Sequence, residues 1–259
     1  FAEFEGLQGN QQYFVRVRAS IDNLFSDWSN TASFTTFFTE PTVAPTALVM
    51  NNRTPNTFNV SWTAGNGTKT IVFASTAAVT AVPADEDTYV ANSDYSAAAT
   101  FAGAKVVYNG EGTEFELSGL NPETQYFLAA FTYNGTEGAE NYFATPATAN
   151  GTTFAAEPTN PENLVFSNRT QNSIDLDWTG TAAKYLVLVN TTNNNFSVEP
   201  MDGTTYTLGA AFGTNVTVAA IVTNEELAHT SLVANKTHYY RIYAFNGSNG
   251  NENYNLEPA

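Results

Sequence analysis

Residue types that perform acid–base chemistry are scarce in this chain. It has two histidines, His229 and His238, both close to its C-terminal end. A catalytic histidine needs a nucleophile within reach and a carboxylate that orients its ring. The Gly-x-Ser-x-Gly motif, which presents a serine nucleophile, is absent from the sequence. We therefore interpret both histidines as surface residues of strands and predict no catalytic residue, no cofactor and no enzymatic activity.

The densest group of carboxylates is Asp85, Glu86 and Asp87. Such a group could bind Ca2+, which prefers several oxygen ligands. The Asp-x-Asp-x-Asp-Gly spacing of a calcium-binding loop is absent, and the matching segment Met201–Gly203 holds a single carboxylate. We interpret the group as a solvated loop and predict no metal-binding residue.

Two further features leave a binding role open. Trp28 could stack on a sugar ring, or it could lie over its own sheet, which we favour because one tryptophan does not form a platform. Eleven Asn-x-Ser/Thr triplets occur, and each is a possible glycan site in a secreted protein. Composition alone accounts for most of them; they include Asn52, Asn66, Asn134, Asn168 and Asn246.

Composition limits the classes of partner. The chain has 25 acidic and nine basic residues among 259, giving a net charge of −16. Nucleic acids and anionic lipid surfaces are bound through clustered Lys and Arg, so neither partner is expected. There is no cysteine, which excludes disulfides and thiolate metal sites. No apolar run is long enough for a membrane helix, so no membrane insertion is predicted.

Internal repeats indicate the architecture. Four sequence blocks recur in the same order, about 116 residues apart at the start and about 112 at the end. The paired blocks are Thr35–Pro45 with Thr152–Pro161, Leu48–Trp62 with Leu164–Trp178, Glu86–Tyr95 with Gly203–Phe212, and Tyr133–Ala147 with Phe245–Ala259. The chain is therefore expected to contain successive copies of one module.

Each module has the pattern of β-strands. Apolar and polar residues alternate in Phe58–Trp62 and Ile174–Trp178, which is typical of a sheet with one face in a core. Thr70–Ala74 and Tyr185–Val189 are short apolar runs typical of central strands. No segment keeps a helical period. We predict an all-β fold of tandem immunoglobulin-like antiparallel sandwiches with very little helix.

The repeats also predict domain boundaries. Residues 1–38 match only the C-terminal half of a module, 39–154 a complete module, and 155–259 a module that lacks the end of its last strand. Both ends are thus expected to be truncated, as in a piece of a longer array. Glu40 and Glu157, near the linkers, remain alternative ligands for an ion between domains.

Several motifs resemble fibronectin type III domains. These are a Pro-x-x-Leu start, the strand that ends in Trp62 or Trp178, and the segment Leu120–Phe131. The resemblance implies that each tryptophan packs the core and that Tyr126 holds the corner of its strand. Tyr239 is matched to this corner position with one extra residue before it.

A narrower resemblance concerns residues 76–104, a long insertion that ordinary domains of this family lack. It is similar to variant repeats in secreted proteins of Bacteroidota, as are the segments Thr88–Tyr95 and Phe101–Gly135. The resemblance implies export to the cell surface or medium, through the type IX route. If the modules have a ligand site, the insertion is the first place where we expect it.

The function expected from these observations is a non-catalytic array that acts as a stalk, filament or adhesin spacer. Its partners would be neighbouring modules of the same longer chain, with surface glycans or proteins as candidate ligands. The alternative is a set of linker or carbohydrate-binding modules in a secreted polysaccharide-degrading enzyme.

Overall fold

The computed structural model describes residues 3–259, which form strands, turns and loops without a helix. Residues 1 and 2 of the predicted segment 1–38 lie outside the described residues. No helix that could span a membrane is found in the described part of the chain. The sheets are built from antiparallel strand pairs, which confirms the predicted all-β fold class.

The chain forms two compact units. The first comprises the residues up to Asn51, Asn59–Gly119 and Tyr126–Gly151, and the second comprises Asn52–Phe58, Leu120–Gln125 and Thr152–Ala259. Most strand residues of the first unit lie in β1 (Gln12–Val15), β2 (Ser20–Ile21), β3 (Leu24–Phe25), β4 (Ala32–Thr35), β5 (Thr46–Asn51), β6 (Phe58–Thr63), β7 (Lys69–Ser75), β8 (Thr100–Phe101), β9 (Ala104–Gly110), β10 (Glu114–Leu117), β11 (Gln125–Asn134), β12 (Asn141–Tyr142) and β13 (Ala147–Thr152). The second unit contains β14 (Glu162–Ser167), β15 (Ile174–Thr179), β16 (Lys184–Asn190), β17 (Ala211–Gly213), β18 (Val216–Val222), β19 (Glu226–His229), β20 (Tyr239–Asn246) and β21 (Asn253–Tyr254).

The same strand order occurs in both units. The second unit has the sheets β14-β15-β19 and β17-β18-β16-β20-β21. The first has β5-β6-β10 and β8-β9-β7-β11-β12, with β13 also paired to β11. The ladders β1-β4 and β2-β3 precede them. The strands predicted from alternation and from apolar runs are thus confirmed as β6, β7, β15 and β16.

A core lies between the two sheets of each unit. Trp62 is buried and packs edge-on against Tyr108, with 5.1 Å between ring centroids. Trp178 is buried against Tyr185 at 5.4 Å. Each of these aromatic pairs adds an orientation-dependent stabilisation to the burial of its apolar area. The core role that the family resemblance implied for both tryptophans agrees with these positions.

A second core covers the outer face of the larger sheet. In β7 the residues Ile71 and Phe73 point to this face, so both faces of the strand are apolar. The insertion 76–104 supplies the cover, with Tyr89 and Phe101 packed on Phe73. Because these side chains fill a core, the insertion is primarily a packing element. The second unit repeats this layer with Phe196, Tyr206 and Phe212.

The corner position differs between the units. Phe127 pairs with Ser75, and Tyr239 pairs with Asn190 at the corresponding register. His238 therefore occupies the place of the buried Tyr126, and the matching of Tyr239 to the corner was wrong. No extra residue is needed once the strands are aligned by their pairing.

Candidate functional site

Two asparagines of the first unit hold the linker that precedes β5. Asn141 Nδ2 donates to the carbonyl oxygen of Phe38 at 2.8 Å, and Asn134 Nδ2 donates to that of Thr39 at 2.7 Å. Asn134 is itself fixed, because its Oδ1 accepts the backbone N–H of Thr68 at 2.9 Å. We call this pair of linker contacts the linker clasp.

The second unit has the same linker clasp. Asn253 Nδ2 donates to the carbonyl oxygen of Ala155, and Asn246 Nδ2 donates to that of Ala156, both at 2.8 Å. The Oδ1 of Asn246 accepts the N–H of Ala183 at 2.9 Å. Four side-chain amides thus do the same task at two places in the sequence, which argues that the linker contact is selected rather than incidental.

The glycine after the first clasp asparagine is required by the loop geometry. Gly135 and Gly247 have φ of 102° and 86°. A Cβ at Gly247 would lie 2.4 Å from the carbonyl oxygen of Asn251. We call the loops between the two clasp asparagines of each unit, residues 134–141 and 246–253, the clasp loops. The Asn-Gly pairs bring the two ends of each clasp loop together. This structural role explains the Asn-x-Ser/Thr triplets at Asn134 and Asn246.

Buried carboxylates brace both clasp loops. Glu140 accepts the hydroxyl of Thr88 at 2.6 Å and the N–H of Gly138 at 2.8 Å. Glu252 accepts the hydroxyl of Thr205 and the N–H of Gly250 in the same way. These bonds satisfy carboxyl groups that would otherwise be costly to bury.

The pKa of Glu252 is set by burial on one side and by hydrogen bonds and a nearby charge on the other. Burial raises the pKa, but the hydrogen bonds from Thr205 and from the backbone N–H groups of Glu252 and Gly250 lower it. Lys184 lowers it further by its charge, and the net pKa lies below the ordinary value. Glu252 is therefore a charged acceptor that is fixed by its donors.

The acidic group of the insertion has a structural role as well. Asp85 Oδ1 accepts the N–H of Tyr142 at 2.8 Å, and Tyr142 donates its hydroxyl to the carbonyl oxygen of Asp87 at 2.9 Å. Asp202 and Tyr254 repeat the first of these bonds at 2.8 Å. No group of three or more metal-ligating side chains is found within residues 3–259.

Arg53 makes several hydrogen bonds inside the second unit. It lies in the loop Asn52–Phe58, and its guanidinium donates to the carbonyl oxygen of Thr152 and to Oδ1 of Asn251, both at 3.1 Å. It also donates to the carbonyl oxygen of Gly250. The planar fork of an arginine suits such a set of acceptors better than a lysine does.

The surroundings of Arg53 match its shape and charge. Its guanidinium carbon lies 4.0 Å from the centroid of the Phe154 ring. A Cβ at Gly203 would lie 2.8 Å from the guanidinium, so a glycine leaves the room that the arginine fills. Burial lowers the pKa of Arg53, and the charges of Glu252 and Asp202 oppose that shift. We call this group of residues the arginine contact.

The two histidines lie near each other. His229 Nδ1 lies 2.9 Å from the hydroxyl of Tyr240, and burial together with the charge of His238 lowers the pKa of His229. Burial raises the pKa of Tyr240 to about 12. His238 lines an open cleft, which is described below.

Trp28 belongs to an exposed cation–π group. Its ring is 51% exposed, and the guanidinium carbon of Arg18 lies 4.5 Å from the ring centroid. Arg18 also lies 3.9 Å from the ring of Phe25. Trp28 thus stacks on an arginine side chain, and the hypothesis that it lies over its own sheet stays a prediction.

The clasp asparagines and Arg53 were not predicted from the sequence. A signal for them exists, because the repeated blocks keep Asn134 and Asn246 in place and keep an Asn-Arg-Thr triplet at Arg53 and Arg169. As Asn-x-Ser/Thr triplets, Asn134 and Asn246 indicate only possible glycan sites, and no pattern gives Asn141, Asn253 or Arg53 a role. Polar residues kept across internal copies were the better guide to function.

Comparisons with known proteins found similar solved structures. No protein-family model and no curated protein matches the chain. A two-domain fibronectin type III segment from chicken tenascin is 15% identical, over 83% of this chain and 99% of that one, with a TM-score of 0.38.

Two further solved structures are similar. The chicken CNTN1 FN1–FN3 domains are 13% identical, over 97% of this chain and 74% of that one, with a TM-score of 0.39. Domains d3–d4 of the rat CD45 extracellular region are 15% identical, over 59% of this chain and 69% of that one, with a TM-score of 0.30.

Proposed function

We propose that the chain is a non-catalytic structural array of a secreted or cell-surface protein, in which modules serve as spacers for an adhesive or filamentous function. The modules are those expected from the repeats, with boundaries at 1–38, 39–154 and 155–259. The observation that carries the proposal is the linker clasp, which occurs twice with the same residues. A spacer needs linkers that hold a fixed conformation, and the clasp provides one.

The proline content of the linkers also supports the proposed spacer role. Each contains prolines, which fix φ and stiffen the chain. In the second unit Asn255 Nδ2 also donates to the carbonyl oxygen of Pro158 at 2.9 Å. Glu40 and Glu157 are exposed, and their proposed role as ion ligands has no support from the contacts around them.

Spin labels test the fixed linker. The chain has no cysteine, so Glu157→Cys with Asn194→Cys, both exposed and in the second unit, gives a specific label pair. A clasped linker predicts one narrow distance distribution. Adding Asn246→Ala and Asn253→Ala should broaden it, whereas a distribution that is already broad without these changes would contradict the proposal.

The alternative remains a linker or carbohydrate-binding role in a secreted polysaccharide-degrading enzyme. A glycan array probed with the chain separates the two classes. Saturable binding that is lost with Trp28→Ala would favour the carbohydrate-binding role. A spacer predicts no such binding, and a hydrolase domain in the parent sequence would favour the linker role.

A further inference from the structure

A second loop repeats the loop that carries Arg53. The segment Asn168–Ser173 corresponds to Asn52–Thr57. In each loop the N–H of the threonine after the arginine donates to the carbonyl three residues later, at 3.0 and 2.9 Å. The asparagine before the arginine has φ of 45° in one loop and 43° in the other. The loop of Arg169 is therefore preformed in the conformation that Arg53 uses.

The two arginines differ in what surrounds them. Arg53 is half-buried by its acceptors and by Phe154, whereas Arg169 is exposed. Within residues 3–259 the guanidinium of Arg169 has no hydrogen-bond acceptor, and it borders an open cleft of about 840 Å³. The cleft lies between the Arg169 loop and the segment Leu232–His238, the counterpart of Leu120–Tyr126.

The residues that surround Arg53 form what we call the receiving surface. Part of this surface recurs in the first unit without an arginine on it. The residues that correspond to Phe154, Gly203 and Gly250 are Phe37, Glu86 and Gly138 in the first unit. Phe37 is 47% exposed, while Phe154 is partly buried beneath the guanidinium. Gly138 and Gly250 share φ values of 85° and 88°. The aromatic ring and the glycine at position 250 thus recur in the first unit, whereas Asn251 corresponds to Ala139 and Gly203 to Glu86 there. A repeat that keeps the residues of the second unit needs only a donor loop of the kind that Arg169 occupies.

We propose that the Arg169 cleft is the docking site for the linker and Asn-Gly loop of a further repeat of this kind, joined in the same chain. The proposal rests on the array function proposed above and names its partner surface. The chemistry that would recognise Arg169 is that around Arg53: an aromatic ring after a Thr-Thr pair, three carbonyl-type acceptors, and nearby carboxylates. A glycine at the Gly203 position leaves room for the guanidinium, because a Cβ there would lie 2.8 Å from that of Arg53.

A chain extended by one repeat tests the proposal. Ala147 and Ala259 are corresponding residues, so a copy of residues 148–259 added after Ala259 continues the repeat in register. The readout is hydrogen exchange at the guanidinium Nη–H groups of Arg169, followed by NMR. Arg53, whose Nη1 and Nη2 donate its hydrogen bonds, is the internal reference. We expect exchange at Arg169 to slow at least tenfold upon extension and to approach that of Arg53.

Variants separate the possible outcomes. Arg169→Ala should lower the unfolding temperature of the extended chain and leave that of the original chain unchanged. Unchanged exchange at Arg169, with Arg53 still protected, would overturn the proposal, and a narrow distance distribution for the labels in the second unit would show that the array function survives. Concentration-dependent association of the original chain that Arg169→Ala abolishes would instead assign the cleft to a second copy.

Discussion

The side-chain amide of Asn253 donates a 2.8 Å hydrogen bond to the carbonyl oxygen of Ala155, and Asn141 makes the same bond to Phe38. The two bonds lie in different units and join corresponding residues of the repeat. Each fixes a linker main chain to the module that follows it. Each of these linker carbonyls accepts its hydrogen bond from a side-chain amide of the module instead of from water.

Removing the buried clasp amide should weaken the second unit. Asn253→Ala leaves the carbonyl of Ala155 without its partner, which costs about 1–3 kcal/mol. Asn249→Ala is the matched control, because that residue is exposed and its Nδ2 makes only a long 3.5 Å contact with Ser248. Urea unfolding of both variants measures the difference. Equal stabilities would show that the bond has no net effect.

The arginine contact should depend on the guanidinium fork. Arg53→Lys keeps the charge but cannot reach several acceptors while lying over Phe154, so we expect a loss of about 1–2 kcal/mol. Arg169→Lys serves as the control, since its loop has the same conformation but no acceptor among the described residues. The heat-induced unfolding of the second unit reports the loss, and a similar response of both variants would contradict the assignment.

Stability should depend on pH through His229. Burial and then His238 lower its pKa in the folded protein, so the unfolded chain binds more protons at mildly acid pH. The stabilisation is therefore complete above about pH 6.5, the ordinary pKa of histidine, and decreases as the pH falls below it. His229→Gln keeps a partner for Tyr240 and should flatten the dependence in the pH range below about 6.5. If the slope in that window is unchanged, other groups cause it.

The insertion should contribute to stability through its aromatic side chains. Phe101→Ala removes a ring that lies 4.8 Å from that of Tyr89 and 5.7 Å from that of Phe73, so we expect a loss of about 2–4 kcal/mol in the first unit. Val90→Ala is the control, because Val90 is 79% exposed. Chemical unfolding distinguishes them; an insertion that is only a ligand loop would tolerate both changes.

The fold was largely predictable because alternation and internal repetition act locally. Phe58, Val60 and Trp62 alternate with polar residues, and this pattern alone sets which face of β6 enters the core. The outer layer was not predictable, because the apolar runs of β7 and β16 indicate two covered faces without showing what covers them.

The arginine contact could not be derived from spacing along the chain. Arg53 and Asn251 are 198 residues apart, and most acceptors of Arg53 are main-chain carbonyls, which every residue type provides. The prediction that Tyr239 is the corner residue was wrong for a related reason. His238 and Tyr239 are adjacent, and only the pairing of β20 with β16 shows which of them replaces Tyr126.

Backbone ¹⁵N relaxation at the linker amides of Phe38, Thr39, Ala155 and Ala156 tests the central claim most directly. Linkers held by the clasps should have order parameters near ~0.85, as in a rigid backbone. Values below ~0.6 at these amides, with the strands still rigid, would contradict the account, because the clasps would then fail to fix the linkers on which the spacer role depends.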